Sequence, residues 1–429
     1  MLSSLFMSTL GRESLVAADD TWSLMVILCA GVALSIWLEQ KYNWASKISG
    51  AIIALIIAMV LANVGIIPIS CPLYDDVVWG IVVPMGIPLL LLQCNIKKIW
   101  KETGRMLVIF LIGAVGTFVG AFIAYYALRA PFGDAQGLAK VAAMMTGSYI
   151  GGGVNFAAMA SQYAAGDDLT AAATVADNLL MAAYFFVLIA FAGMRFFRKN
   201  YRHPHIDEME SGTSNRDSAQ TQAAAFWSRK DISLKDIAFN FAYCIAIVWL
   251  SKLVAGGIAG LVPADPSALN ASGTVLAVLM NFVGKFFGSQ YVWITTFSVI
   301  VATFMDKQVE MLHGSQEIGT YLIYLFLFVI GVPANIYTVV TKSPLLLVLT
   351  AIMVIVNMLF CFGAAKLFHF DLEDAIIASN ANIGGPTPAA GMAISQGWAK
   401  LVGPAMLIGT LGYVIGNYAG TIVGIALGA

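Results

Sequence analysis

Long apolar stretches separated by short polar segments run through almost the whole chain. A helix needs about 20 apolar residues to span the hydrocarbon core of a bilayer. In the first half this pattern predicts five transmembrane helices, over Trp22–Leu38, Ile48–Ile69, Val77–Cys94, Met106–Leu128 and Ala171–Met194. In the second half it predicts five more, over Ile237–Leu261, Tyr291–Met305, Gly319–Val340, Leu345–Phe368 and Leu401–Leu427. The apolar run 274–288 contains Lys285 and is predicted to be an interfacial helix or a short extra helix.

Two further apolar stretches, Leu138–Tyr163 and Leu372–Gln396, are each interrupted by a polar, glycine-rich segment. The segments read Thr146-Gly-Ser-Tyr-Ile-Gly-Gly-Gly-Val-Asn155 and Ser379-Asn-Ala-Asn-Ile-Gly-Gly-Pro-Thr-Pro388. Both contain Ile-Gly-Gly, and each precedes the last predicted span of its half. The matching positions predict an internal repeat, with one copy in residues 21–194 and the other in residues 236–429.

The distribution of basic residues predicts how the chain is oriented, because Lys and Arg in short loops favour the cytoplasmic side. The loop 97–105 is basic, and the central linker 195–235 carries eight Lys or Arg against five acids. The N-terminal tail, residues 1–20, carries Glu13, Asp19 and Asp20. An outside tail and an inside linker require an odd number of crossings in the first half. We therefore expect the interrupted segments to be re-entrant and the two copies to be inverted, in an all-α polytopic fold with both termini outside.

Composition agrees with a membrane protein and excludes other classes. Hydrophobic residues make up 59% of the chain and charged residues 11%, and the mean hydropathy is +0.83. A water-soluble surface cannot be assembled from the remainder. The formal net charge of −1 gives no footprint for nucleic acid. The five cysteines are scattered without paired spacing, which indicates buried thiols rather than disulfides or a metal site.

The central linker is predicted to be a flexible cytoplasmic tether. Its residues 209–222 are polar and without periodicity, so that they offer no face to pack. A regulatory docking role is the less favoured alternative. His203, His205 and Asp207 could bind a metal on paper, but solvated side chains are the favoured interpretation.

A helix that stops inside the membrane exposes unpaired N–H groups at one end and C=O groups at the other. Amino ends attract anions and carbonyl ends attract cations. Pro386 and Pro388 enforce the second break because they lack a donor. Helix packing by small residues is the alternative explanation of these segments. We predict that the solute binds at Ser148, Gly151, Gly152, Gly153, Asn155, Asn380, Asn382, Gly384, Gly385 and Thr387.

Asp177 is the most specific single candidate for a functional residue, because no other acid lies in its predicted span. A carboxylate at that depth is costly unless it binds a cation, carries a proton or pairs with a base. The alternative is that the span begins later and that Asp177 lies at the interface. The predicted Na⁺ ligands are Thr146, Asp177, Asn178 and Ser379. Further buried polar candidates are Asn335, Asn357 and Asn417.

The segments Ile150–Gly153 and Ile383–Pro386 resemble those of the YjcL-like family, domain of unknown function 819. More distantly, the chain is similar to glutamate:sodium symporters and to the superfamily of bile-acid:sodium symporters and cation:proton antiporters. The resemblance implies an elevator-type transporter that forms a homodimer in the bacterial cytoplasmic (inner) membrane. The glutamate symporters carry a His in a Gly-Gly-His-Gly-type tip. That His is absent from Gly151–Val154 and Gly384–Thr387, which argues against glutamate as the substrate.

Together these features predict a secondary active transporter, a Na⁺-coupled symporter of a small anionic solute such as a carboxylate, an amino acid or a small peptide. The alternatives are an H⁺-coupled carrier or a cation:proton antiporter, followed by a channel or an intramembrane enzyme. An enzyme is disfavoured because the four histidines fall in loops or near span ends. We expect no cofactor besides the coupling ion. The expected partners are the solute, the lipid bilayer and a second copy of the chain.

Overall fold

The computed structural model of the protein describes residues 14–42, 50–210, 231–260, 280, 283–284, 286–332 and 336–429, and these residues are almost entirely helical. The first half contains α1 (Thr21–Lys41), α2 (Gly50–Asn63), a π-helix (Leu73–Val82) that continues into α3 (Val83–Leu91), and α4 (Ile96–Phe132). There follow α5 (Ala135–Gly151), α6 (Gly153–Gln162) and α7 (Asp167–Gly193).

Two short helices, α8 (Arg195–Asn200) and α9 (Pro204–Glu210), lead out of the first half. The second half contains α10 (Leu234–Ala259), α11 (Gln290–Phe304), α12 (Asp306–Glu310) and α13 (Ser315–Gly331). It ends with α14 (Ile336–Phe368), α15 (Leu372–Gly384), α16 (Pro386–Ser395) and α17 (Ala399–Leu427).

The helices confirm a polytopic membrane protein. Among the described residues, seven helices are long and apolar enough to cross a bilayer, and three shorter apolar ones lie at Ile53–Asn63, Gln290–Phe304 and Ser315–Gly331. Each of these ten coincides with one of the ten predicted spans. The two interrupted stretches coincide with α5–α6 and α15–α16, and the breaks fall at the predicted glycines.

The boundaries predicted between α13 and α14 are wrong, and one predicted element lies mostly outside the described residues. The helix expected over Gly319–Val340 ends at Gly331, and α14 begins at Ile336 rather than at Leu345. Pro344 lies inside α14, although the sequence pattern predicts that a helix ends before this proline. Apolar helices tolerate such a proline because their neighbours satisfy the freed backbone groups. The predicted interfacial helix at 274–288 falls mostly outside the described part.

The helices pack as two groups with fewer contacts between them than within them. The outer group consists of α1, α2, the π-helix, α3, α10, α11 and α13. The core group consists of α4 to α7 and α14 to α17. In the core group α4 and α14 approach closely, because a methyl group added at Gly120 would lie 3.0 Å from the Cα of Met353. The core group contains both broken helices and Asp177.

Candidate functional site

The first break folds α5 and α6 back on each other as hairpin 1, residues 135–162. Gly152 joins them with φ +80° and ψ −174°, a conformation that is almost exclusive to glycine. At the open end, Lys140 Nζ donates to the Ala164 carbonyl oxygen at 3.1 Å. A methyl group added at Gly147 would lie 3.1 Å from Met159 Cγ. Residues early in α5 thus contact the chain just after α6, and residues late in α5 contact the middle of α6. This order of contacts requires the two helices to run antiparallel.

The second break forms hairpin 2, residues 372–395, in the same way. Gly385 has φ +82° and ψ −169°, which is nearly the conformation of Gly152. The Asn380 amide nitrogen donates to the Pro388 carbonyl oxygen at 3.1 Å and to Met392 Sδ at 3.6 Å. Both hairpins therefore have two antiparallel helices and one glycine tip.

The two tips meet. A methyl group added at Gly152 would lie 3.5 Å from the Gly384 carbonyl oxygen, and one added at Gly385 would lie 3.6 Å from Gly152 Cα. The base of hairpin 1 lies next to the start of α7, whereas the base of hairpin 2 contacts the segment after the end of α7, where Ile206 N–H donates to Glu373. The hairpins thus approach each other from opposite ends of the core group.

Glycines of α17 allow this helix to pack tightly on both tips. A methyl group added at Gly409 would lie 2.8 Å from Pro386 Cβ, and one added at Gly412 would lie 3.0 Å from Gly151 Cα. The Asn155 amide nitrogen donates to the Gly412 carbonyl oxygen at 3.2 Å. Asn155, predicted to bind solute, therefore joins hairpin 1 to α17.

Asp177 lies beside the first tip. Ser148 Oγ donates to its Oδ2 at 3.4 Å, and the Tyr149 side chain faces the carboxylate. Neither Asp177 Oδ1 nor Tyr149 Oη has a hydrogen-bond partner among the described residues. One turn further along α7, the Met181 methyl group lies beside Gly384 of the second tip. The same face of α7 thus contacts both tips.

Ser379 belongs to a different network. Its hydroxyl lies 2.6 Å from Tyr184 Oη and donates to Asn357 Oδ1 at 2.8 Å. Asn357 in turn donates to Thr117 Oγ1 at 3.0 Å. Tyr184 lies two turns from Asp177 on α7, about 10 Å along the helix axis. The hydrogen bonds of Ser379 therefore belong to a network that does not include Asp177.

The remaining predicted residues divide by exposure and partners. Thr146 Oγ1 donates to the Ala142 carbonyl oxygen of its own helix, and the Asn382 amide nitrogen donates to Phe110 and Ala378. The side-chain oxygens of Asn380 and Asn382 are buried without a partner in the described part of the chain. Gly153 and Thr387 are exposed. Asn335 and the side chain of Asn178 lie outside the described residues.

The buried Asn417 links α17 to α11, because its amide nitrogen donates to the Tyr291 carbonyl oxygen at 2.7 Å. It joins the core group to the outer group, whereas the adjacent Gly416 packs on hairpin 1, where an added methyl group would lie 3.1 Å from Gly151 N. Among the described residues, no three His, Cys, Asp or Glu side chains cluster in a way that could hold a metal ion. A cation at the tips would therefore depend on hydroxyl, amide and carbonyl oxygens together with Asp177.

Sequence reasoning missed three hydroxyl groups of the core group: Tyr149, Tyr184 and Thr117. Tyr149 stands inside the first glycine-rich segment, next to Ser148, and this position was the available signal. It also missed a cavity of about 490 Å³ between the two groups, at the end of the protein where α8 and α9 lie. Residues of α11 and α13 line one side of the cavity and residues of α4 and α17 line the other.

Comparison with known proteins gives two matches that cover nearly the whole chain. Residues 26–429 match the family described as "Protein of unknown function (DUF819)". The chain is also 44% identical over 414 residues to the "Uncharacterized membrane protein YjcL" of Bacillus subtilis (strain 168). That alignment covers 96% of this chain and 98% of the relative. Both matches agree with the predicted resemblance.

Proposed function

The chain belongs to the DUF819 protein family, and we propose that it is a secondary active transporter whose site lies where the two hairpin tips meet. The observation that carries the proposal is the contact of the breaks at Gly152 and Gly385 inside the core group. Non-helical backbone at membrane depth is tolerated only where it is buried in protein or lines a wet cavity. Tips of this kind, with opposed helix ends, suit ion and solute binding.

We propose Na⁺ as the coupling ion, held beside the first tip. Asp177 Oδ1, Ser148 Oγ and the Tyr149 hydroxyl, which faces the carboxylate, supply oxygen atoms within one small region. Carbonyl groups at the end of α5 add partial negative charge there. A carboxylate in such a place needs a cation or a proton to offset its loss of water. Proton coupling through Asp177 is the second candidate, and it rests on the same unpartnered oxygen.

We propose a small anionic organic solute, such as a carboxylate, an amino acid or a small peptide. The two tips differ in what they can offer to an anion. The first residues of α6, Gly153 and Val154, each carry a backbone N–H at a helix start, whereas Pro386 and Pro388 remove two donors from the start of α16. The first tip therefore supplies most of the donors, and the Thr387 hydroxyl supplements them at the second.

We further propose alternating access of the elevator type, in a homodimer of inverted repeats. Helices in the same serial position make corresponding contacts: α1 packs on α2 as α10 packs on α11, and α13 packs on α2 as α3 packs on α11. The sparse contacts between the outer and core groups favour sliding of one against the other, and the cavity between them leaves room for it. The outer group would hold the dimer. We propose neither a channel nor an enzymatic activity.

The proposed orientation places α8, α9 and α12 in the cytoplasm and the base of hairpin 1 outside, with the protein in the bacterial inner membrane. In a variant without native cysteines, Gln136→Cys is expected to react with a membrane-impermeant maleimide in intact cells. Lys307→Cys is expected to react only after permeabilisation, because the proposed topology places it on the same side as the basic loop 97–105. Both residues are exposed, so accessibility to solvent does not distinguish them. Labelling of Lys307→Cys in intact cells would contradict the orientation.

The function is tested by thermal unfolding of the purified full-length protein in Na⁺, K⁺ or choline chloride, against a panel of carboxylates, amino acids and small peptides. A ligand at 100 times its Kd stabilises the folded state by about 2.7 kcal/mol. We expect Na⁺ alone to raise the unfolding temperature and one class of anion to raise it further only in Na⁺. Uptake of that anion into proteoliposomes should then require an inward Na⁺ gradient. Equal unfolding in all three salts, with uptake driven by a pH gradient, would replace Na⁺ with H⁺ as the coupling ion.

A further inference from the structure

The segment after α8 lies across the base of hairpin 2. Part of the chain predicted to be a flexible tether, residues 195–210, forms α8 and α9 instead. We call residues 202–210 the strap. On the first leg of hairpin 2, Leu372 N–H donates to the Arg202 carbonyl oxygen at 2.8 Å, and Arg202 Nε lies 3.5 Å from Asp371 Oδ1. The strap is thus paired with the start of α15.

The strap also contacts the segment that follows hairpin 2, where the chain passes into α17. Lys400 Nζ donates to Glu208 Oε1 at 2.7 Å. That hydrogen bond lowers the pKa of Glu208, so the carboxylate keeps its charge at cytoplasmic pH. The Met209 side chain covers Gly397, where an added methyl group would lie 2.7 Å from Met209 Sδ. One short segment therefore joins the first leg of the hairpin to the segment that follows its second leg.

Glu373 makes the central contact. Its side chain is fully buried, and Oε1 accepts the Ile206 N–H at 2.8 Å. Oε2 has no partner among the described residues. A buried carboxylate costs free energy unless its hydrogen bonds offset the loss of water. The Ile206 side chain, 5% exposed, packs into the core beside it. The strap is therefore anchored by one apolar side chain and one buried hydrogen bond.

The strap is also connected to the proposed cation site through the chain itself. Helix α7 carries Asp177, ends at Gly193, and is followed within two residues by α8 and then by the strap. A displacement of α7 relative to hairpin 2 must therefore either carry the hairpin along or break the strap contacts. The strap is the covalent continuation of the helix that lines both tips.

We propose that residues 202–210 act as a latch that holds hairpin 2 at its base, so that the central linker regulates the opening of the site between the tips. The proposal that the linker regulates the site rests on the proposed transport function. The proposal that residues 202–210 hold hairpin 2 at its base does not. Docked, the strap holds the first leg of hairpin 2 next to the segment that follows the second leg, and it joins both to α7. Released, it frees the hairpin to part from the first tip.

The test is hydrogen–deuterium exchange of the purified full-length protein in lipid nanodiscs without added ligand, comparing hairpin 2 with hairpin 1. Exchange reports local opening, and hairpin 1 is an internal reference that the strap does not touch. Exposed ion pairs contribute little, so Glu208→Lys and Lys400→Glu are each expected to speed exchange at the base of hairpin 2 about two- to fivefold. The double variant, which restores the pair in reverse, is expected to return to the wild-type rate.

Substitution of the buried Glu373 is expected to speed exchange more than substitution of the exposed ion pair does. Glu373→Leu removes the acceptor of the Ile206 N–H and is expected to speed exchange in hairpin 2 about tenfold or more, whereas Glu373→Gln, which keeps an acceptor oxygen, stays closer to wild type. Glu310→Lys, an exposed charge change outside the strap, serves as the matched control and leaves exchange unchanged. Equal acceleration in both hairpins, or no rescue by the double variant, would overturn the latch. Because no ligand is added, a failure to bind Na⁺ would leave this result intact.

Discussion

Replacing Asp177 with Asn is expected to abolish the stabilisation of the protein by Na⁺ while leaving the unliganded protein at least as stable as wild type. Asn has nearly the same shape as Asp but no charge. Without a cation, a carboxylate with an unpartnered Oδ1 is costly to bury, and a neutral amide is cheaper. With a cation, loss of the charge removes the strongest ligand. We expect apparent Na⁺ affinity to fall at least about 100-fold, which corresponds to about 2.7 kcal/mol.

The measurement is the unfolding temperature of Asp177→Asn across a Na⁺ titration at constant ionic strength. Asp168→Asn is the matched control, because Asp168 lies on the same helix in an exposed position. It is expected to keep the full Na⁺ response. Ser148→Ala, which removes the hydroxyl that donates to Asp177, should weaken the response less than Asp177→Asn does. An unchanged Na⁺ response in Asp177→Asn would refute the cation site.

The transmembrane helices could be predicted from the sequence because a long run of apolar residues is the main requirement for a helix that spans the bilayer. Boundaries were less predictable. The run Thr341–Pro344 contains Lys342 and Pro344, which read as a loop, but α14 continues through them. Neighbouring helices, which a pattern along one chain does not contain, decide whether a proline ends a helix in a membrane.

The sequence predicted which segments form the candidate site, but it did not predict how these segments contact each other. Glycine and proline marked both breaks, because few other residues can adopt or enforce such backbone. That the breaks meet is a tertiary contact, and no local pattern predicts it. Ser379 and Asp177 were grouped because both lie near a tip in sequence, yet the structure places Ser379 with Tyr184 and Asn357. Tyrosines in apolar stretches look like packing residues until their hydroxyl groups are located.

The strap shows how composition can mislead over a long segment. The polar residues 209–222 determined the interpretation of the linker as a tether, although Ile206 offered one apolar anchor elsewhere in the linker. The partner of that anchor, Glu373, lies in the other half of the chain. A buried contact between an ordinary isoleucine and a distant glutamate leaves no signal in either segment alone.

Replacing either tip glycine with alanine is expected to destabilise the protein by about 1–3 kcal/mol, because both hold backbone conformations that side chains rarely adopt. The double variant Gly152→Ala/Gly385→Ala should cost more than the sum of the single changes. Each added methyl group points toward the Cα of the opposite glycine, so that the two methyl groups of the double variant would clash with each other.

Gly153→Ala is the control for this double-mutant cycle, since Gly153 is exposed, has an ordinary helical position, and an added methyl group there meets nothing within 4 Å. Its effect on stability is expected to be close to zero or slightly favourable. Unfolding in mixed detergent micelles measures the four free energies of the cycle. If the single changes add within about 0.3–0.5 kcal/mol, the tips do not touch in the folded protein. A coupling well above that range would mean that the two breaks form one site, because only residues in contact impose strain on each other.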